Sequence, residues 1–250
     1  MSDTEPVGNL GGMTLAPLLD LADIADTLAE ARASFDATLR HRAMRKQGGQ
    51  VAVEAGLRTA RASAALEGHD HDLDDLRAGT ALDPVVQGAL RVSQALEGLA
   101  PSWPRAPRQV LAKLHMLAGR GIVPDDELGR PAPGAQARLD TLVELVTGKE
   151  DTLLLAAVVH GELLALGAFG QVNGVVARGA ARLTLIAGGF DLRGLLPIDL
   201  GHLDREPEYR GSQATFATGT PDGLRSWLKH YAAAVTRAAE ETTAICDGLV

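Results

Sequence analysis

An all-α helical bundle is the fold class the sequence predicts, on three observations. Hydrophobic residues make up 46% of the 250-residue chain but aromatics only 3%. The core is therefore built from Ala, Leu and Val, which favour helices in close contact. Apolar residues recur at helical spacing along most of the chain, and no stretch shows the alternation of a half-buried strand. Finally, the 28 glycines and 12 prolines cluster between the periodic segments, where they end helices and form turns.

Residues 1–14 read as a flexible leader, with Gly8, Gly11 and Gly12 opposing regular structure. From Leu15 to Arg45 the residues Leu18, Leu21, Ile24, Ala25 and Leu28 mark a first helix. A second spans about 50–67 and closes at Gly68, a natural C-cap. The stretch from His69 to Asp83 is acidic and polar, a linker, and Asp83-Pro84 supplies a cap with proline at the first helical position. Helices then follow at about 84–98, 107–119, 134–147, 151–166, 174–188 and 221–247. They are separated by Pro101, Pro104 and Pro107, by Pro124, Pro131 and Pro133, and by the glycine-rich turn 167–174. The segment Leu153 to Phe169 comes nearest to the length of a membrane span, but His160 and Glu162 interrupt it, and it reads as a buried core helix. One domain, residues 15–250, is expected, with N-terminal helices over 15–68 and a core over 84–247.

Charge excludes some functions. Twenty-four basic residues stand against 32 acidic ones, a net charge of −8, whereas a phosphate-neutralising nucleic-acid binder usually carries a basic stripe. The densest basic cluster, Arg40, Arg42, Arg45 and Lys46, falls at the expected end of the first helix, where it would complement the dipole. No nucleic-acid or membrane partner is expected. The single cysteine, Cys246, has no partner for a disulfide or a metal cluster, and with the polar N-terminus it points to a cytoplasmic location. Arginine far outnumbers lysine, which occurs four times, in an Ala- and Gly-rich chain; that bias suggests a GC-rich bacterial genome.

Three local constellations carry chemistry. His69-Asp70-His71-Asp72 offers four metal-ligand types in a row, but neighbours on an extended loop point in alternating directions, so it reads as a solvated linker. His115 and His160 lie on apolar helical faces and read as satisfied core residues. The turn Gly167-Ala168-Phe169-Gly170-Gln171-Val172-Asn173-Gly174 feeds a helix N-terminus, whose free N–H groups and dipole make an anion seat. Asn173 is placed to cap that helix, and Arg178, one turn in, to face a bound anion.

Together these pieces resemble the Fic (Fido-domain) family, nucleotidyltransferases that typically move AMP from ATP onto a protein hydroxyl. The family motif reads His-Pro-Phe-x-(Asp/Glu)-Gly-Asn-Gly-Arg-x-x-Arg, between two central helices; here the aligned stretch runs from Gly167 to Arg178. The lead-in over 155–166 and the sequel over 182–191 are similar to the flanking helices. Ser63-Ala64-Ala65-Leu66-Glu67-Gly68 matches the inhibitory-helix pattern Ser-x-x-x-Glu-Gly, and likeness continues to the C-terminal helix around Trp227-Leu228-Lys229.

The resemblance also shows what is missing. Phe169, Asn173, Gly174 and Arg178 are kept, but Gly167 stands where the family's general base, a histidine, would accept the hydroxyl proton. Gln171 replaces the Mg²⁺ carboxylate and is a poor ligand for a hard cation. Val172 replaces a glycine in the turn, and Val175 the first phosphate-steadying arginine. His160 lies seven residues before Gly167, about 10.5 Å along a helix, too far to substitute. Loss of a general base alone costs roughly 10²–10⁴ in rate. The target-docking flap hairpin of active members is also expected to be missing, since Leu128-Gly129-Arg130-Pro131 passes through Ala132-Pro133-Gly134 straight into a helix.

The leading expectation is a degenerate Fic-fold pseudoenzyme without AMP transfer, a binding or regulatory module for a protein partner or for itself. It has no catalytic residue, metal or cofactor, and Glu67 and Arg178 are kept as a structural ion pair, the remnant of the family's inhibitory contact. The alternative is a nucleotide-binding enzyme of other nucleotidyl or phosphoryl chemistry, with Asn173, Gly174 and Arg178 on the phosphates and ATP with Mg²⁺ as cofactor.

Overall fold

The computed structural model describes residues 14–250. All but the last residue of the expected leader lie outside the described residues; that last one, Thr14, meets Glu150, which also accepts from Leu15 N at 2.9 Å.

Eleven α-helices and three short 3₁₀ turns form the described chain, and no strand is found among its residues. The helices are α1 (Ile24–Leu39), α2 (Ala43–Ala65), α3 (Leu73–Ala78), α4 (Pro84–Leu99), α5 (Pro107–Gly119), α6 (Gln136–Thr147), α7 (Thr152–Leu166), α8 (Asn173–Ala187), α9 (Ile198–Leu203), α10 (Glu206–Phe216) and α11 (Pro221–Asp247). Helix starts follow their capping chemistry. The Asp83 carboxylate accepts from Val85 N at 2.8 Å and Val86 N at 3.3 Å, and Asp151 accepts from Leu154 N at 2.9 Å.

α7 and α8 form the centre. Every residue from Leu153 to Gly161 is buried, as is every residue from Gly174 to Ile186, so both are enclosed all round as their composition requires. They pack along each other; α4 and α5 lie against α8, while α11 runs across α1, α2, α9 and α10. One continuous apolar core extends from Leu15 to Cys246, and a small satellite of Ala64, Leu76, Ala81 and Val86 lies beside α3. Close approach depends on glycine: a Cβ on Gly201 would overlap the backbone of Ala234 in α11. No helix among the described residues is long and apolar enough to cross a membrane.

Several boundaries differ from expectation. The first helix, expected over 15–45, is broken: a 3₁₀ turn covers Ala16–Asp20, Leu21 is extended (ψ 137°), and Asp23 is left-handed at φ 65° before α1 begins. Pro17 lies in the first turn of the 3₁₀ segment, where it has no N–H to lose. A second break at Arg40–Arg42 starts α2 at Ala43, well before residue 50. The basic cluster therefore straddles two helices, and Arg45 and Lys46 sit at the N-terminus of α2, the unfavourable end of its dipole. The expected linker from His69 to Asp83 contains α3, and its histidines are tied down, with His69 Nδ1 2.8 Å and His71 Nε2 3.3 Å from Asp83 Oδ2. Asp70 accepts from Arg61 at 2.7 Å. The segment 189–220, which carries no periodic signal, contains α9 and α10; their six and eleven residues are too short to show one.

Candidate functional site

The turn between α7 and α8 is shaped by glycine. Gly167 closes α7 in the left-handed region at φ 63°, and Gly170 follows at φ 53°. Val172, where the family motif has a glycine, fits the turn without needing one: it sits in the bridge region at φ −109°, ψ 15° and buries its side chain in the core, so the turn's freedom sits two residues earlier. Val175 is likewise a core residue.

Asn173 corrects a second expectation. It is the first residue of α8 and caps nothing; Val172 holds the N-cap position without a side-chain hydrogen bond. The Asn173 amide instead braces the turn, accepting from Phe169 N at 3.1 Å and donating to Leu163 O at 2.9 Å. The anion seat at the start of α8 is filled from within. The Glu67 carboxylate, one residue beyond the C-cap of α2, lies against Gly174 so closely that a Cβ there would overlap it. A carboxylate at a helix N-terminus is favourable for the dipole.

Arg178 faces the start of α8, where the anion it meets is the Glu67 carboxylate rather than a bound ligand. It is 1% exposed, and its guanidinium donates to Glu67 Oε1 at 2.7 Å, Ser63 Oγ at 3.0 Å, Ser63 O at 2.9 Å and Tyr209 Oη at 3.4 Å. Asp199 Oδ2 stands 3.7 Å from its Nε. Burial opposes the charged guanidinium, but Tyr209, Glu67 and Asp199 outweigh it, and the pKa of Arg178 is raised. Glu67 and Arg178 thus meet as an ion pair joining α2 to α8, with the Glu67 side chain still 23% exposed.

Behind Arg178 lies a buried aromatic cluster that sequence reasoning missed. His160 Nε2 is 3.0 Å from Tyr209 Oη, His202 stacks on Tyr209 with ring centroids 4.6 Å apart, and His202 Nδ1 is 3.0 Å from His230 Nε2. Trp227 donates to Ala157 O at 2.8 Å. Burial first, then neighbouring positive charge, pushes His160 and His202 well below the ordinary histidine range. His230 falls to about 4, through burial and then Arg205. The expectation that His115 and His160 are satisfied holds for one nitrogen of each. His115 Nδ1 accepts from Gly129 N at 3.2 Å, but its Nε2, and Nδ1 of His160, find no partner among the described residues. Asp199, His202 and Tyr209 lie on α9 and α10, which carried no sequence signal; Ser63 and Glu67 were visible in the Ser-x-x-x-Glu-Gly pattern, and His160 and Trp227 as single residues without their grouping.

On the outer side of the turn, the segment after α5 makes no hairpin. It contains an isolated bridge between Arg120 and Val123, and Ala132 N donates to Ala168 O at 2.8 Å, so the chain binds its own turn directly. No group of three or more His, Cys, Asp or Glu is placed to hold a metal ion among the described residues.

Neither a protein-family model nor a curated protein matches the sequence. Among solved structures, the chain is similar to the crystal structure of a Fic family protein from Desulfovibrio desulfuricans G20, with a TM-score of 0.72 at 21% identity. The alignment covers 90% of this chain and 75% of that one. The chain has the Fic-like helical fold.

Proposed function

We propose that this chain is a Fic-fold module that binds or regulates another protein, or a second copy of itself, and does not transfer AMP. One observation carries the reading: the anion seat at the start of α8 is closed by the Glu67 carboxylate, and the arginine that would face a phosphate, Arg178, is buried and committed to Ser63, Glu67 and Tyr209. A nucleotide phosphate would have to displace a like-charged carboxylate and break that set. The absence of an imidazole at Gly167 supports the same conclusion, because no side chain there can take a hydroxyl proton. The Ala132–Ala168 hydrogen bond adds to it, using backbone that a docked target strand would otherwise need. Fold alone does not carry activity; these residues argue against it.

Calorimetric titration of the purified chain with ATP, GTP and their diphosphates, with and without Mg²⁺, tests the reading. No saturable heat is expected, and incubation with ATP and Mg²⁺ leaves the intact mass of the chain and of added proteins unchanged. Nucleotide binding that disappears in Arg178→Ala, or any adenylyl adduct, overturns it in favour of the enzyme reading.

A further inference from the structure

A second arginine on α8 is placed differently from Arg178. Arg182, one turn further along, is 7% exposed, yet among the described residues its guanidinium makes a single hydrogen bond, Nη1 to Ser93 Oγ at 3.3 Å. A guanidinium carries five N–H donors, and the Arg182 nitrogens that make no hydrogen bond are not among the fully enclosed unpartnered atoms, so they open onto accessible space. The nearby carboxylates do not take them: Asp191 accepts from Leu195 N at 2.8 Å and Leu196 N at 3.0 Å, while Asp199 faces Arg178.

Arg182 instead lines a cleft of about 290 Å³ between α2, α4, α8 and the 188–194 loop. One side of the wall is apolar, with Leu57, Leu90 and Ile186, while Ser93 and Gln94 add polar groups, and the mouth carries two of the few large exposed apolar side chains, Val53 at 66% and Leu192 at 68%. Arg193 lies at the same opening, packed over Gly48, with no ion pair among the described residues; Glu97 is the acidic residue of the lining. A cation short of acceptors inside a partly apolar cleft, under an apolar rim, matches one ligand chemistry: a single anionic head on an apolar body. The volume lies at the small end of ligand sites.

We infer that this cleft is a binding site for a small amphipathic carboxylate, its carboxylate on Arg182 and its chain between Leu57, Leu90 and Ile186. The site stands apart from the α7–α8 turn, and it depends on neither the presence nor the absence of AMP transfer.

Isothermal calorimetry on the full chain tests it, with sodium octanoate as the probe and 1-octanol and sodium acetate as its two halves. Saturable one-to-one binding of octanoate is expected, with octanol and acetate each at least about tenfold weaker, the scale of a charge-assisted hydrogen bond or a few buried methylenes. Arg182→Met, close in volume and neutral, weakens octanoate by about ten- to a hundredfold. Val53→Asp and Leu192→Asp, on the exposed rim, weaken it as well and decide the matter if Arg182→Met does not fold. Absence of octanoate binding, octanol binding as tightly as octanoate, or rim variants that leave octanoate affinity unchanged would each overturn the assignment.

Discussion

Removing Arg178 should destabilise the chain more than removing its partner Glu67, and the structure sets the sizes. Arg178→Met deletes four hydrogen bonds and takes the nearest cation from Asp199, whose side chain is only 4% exposed and keeps only the Arg182 charge and Ser63 nearby. Stranding one member of a buried pair costs about 3–5 kcal/mol, and Glu67 adds little because it can rehydrate through its exposed fraction. Glu67→Ala leaves Arg178 its three bonds to Ser63 and Tyr209 and the Asp199 charge. It loses one charge-assisted hydrogen bond, about 1.5–3 kcal/mol. At roughly 2–4 °C per kcal/mol for a chain of this size, Tm falls by about 6–20 °C for Arg178→Met and about 3–12 °C for Glu67→Ala. Differential scanning calorimetry of both variants, with urea midpoints as a check, gives the ordering. A Glu67→Ala loss equal to or larger than that of Arg178→Met would refute the idea that Asp199 and Ser63 share the charge of Arg178.

Further outcomes follow from the same geometry. Gly174→Ala forces Glu67 out of its position and lowers Tm in the wild-type background, and in a Glu67→Ala background the loss is smaller, since only Arg178 Nη1, 3.0 Å from such a Cβ, still stands in its way; an equal loss in both backgrounds would show that Glu67 does not hold the seat. Gly167→His places an imidazole at φ 63°, and is expected to lower Tm by a few degrees through the left-handed backbone, about 1–2 kcal/mol. No adenylyl adduct should appear by intact mass, because Gln171 and Val175 are still in place; an adduct would mean the base was the only missing part. pH acts through the buried histidines. His160, His202 and His230 are held neutral in the folded chain, His230 down to about 4 against an ordinary 6.5, so the unfolded chain binds more protons. Stability is full above about 6.5 and falls as pH drops toward the folded values, by about 1.4 kcal/mol per pH unit for each group. A urea midpoint that stays flat from pH 7 to pH 5 would contradict this.

Much of the fold was legible along the chain because the long helices carry their own signals. α4, α5, α7 and α11 begin and end within a residue or two of their capping and breaker residues, and the apolar run of α7 announced a helix buried on every side. The first breaks were not legible, since a continuous apolar period through Leu18, Leu21 and Ile24 masks an extended Leu21 and a left-handed Asp23. Within the candidate site, Glu67 and Arg178 could be paired by their motif, while Asn173 was misread as a cap because a turn's internal hydrogen bonds leave no periodic trace.

By itself, then, the sequence determined the helical class and the glycine-shaped turn at 167–174, because these depend on residue type and local spacing. Only the tertiary structure decided which way Arg178 points, what fills the start of α8, and that Arg182 is left short of acceptors in a partly apolar cleft. Those outcomes depend on Ser63, Asp199, Tyr209 and Leu192, residues brought together from α2, the 188–194 loop, α9 and α10. A buried charge takes its partners from whatever packs around it, and that packing is not encoded in the spacing of any one segment.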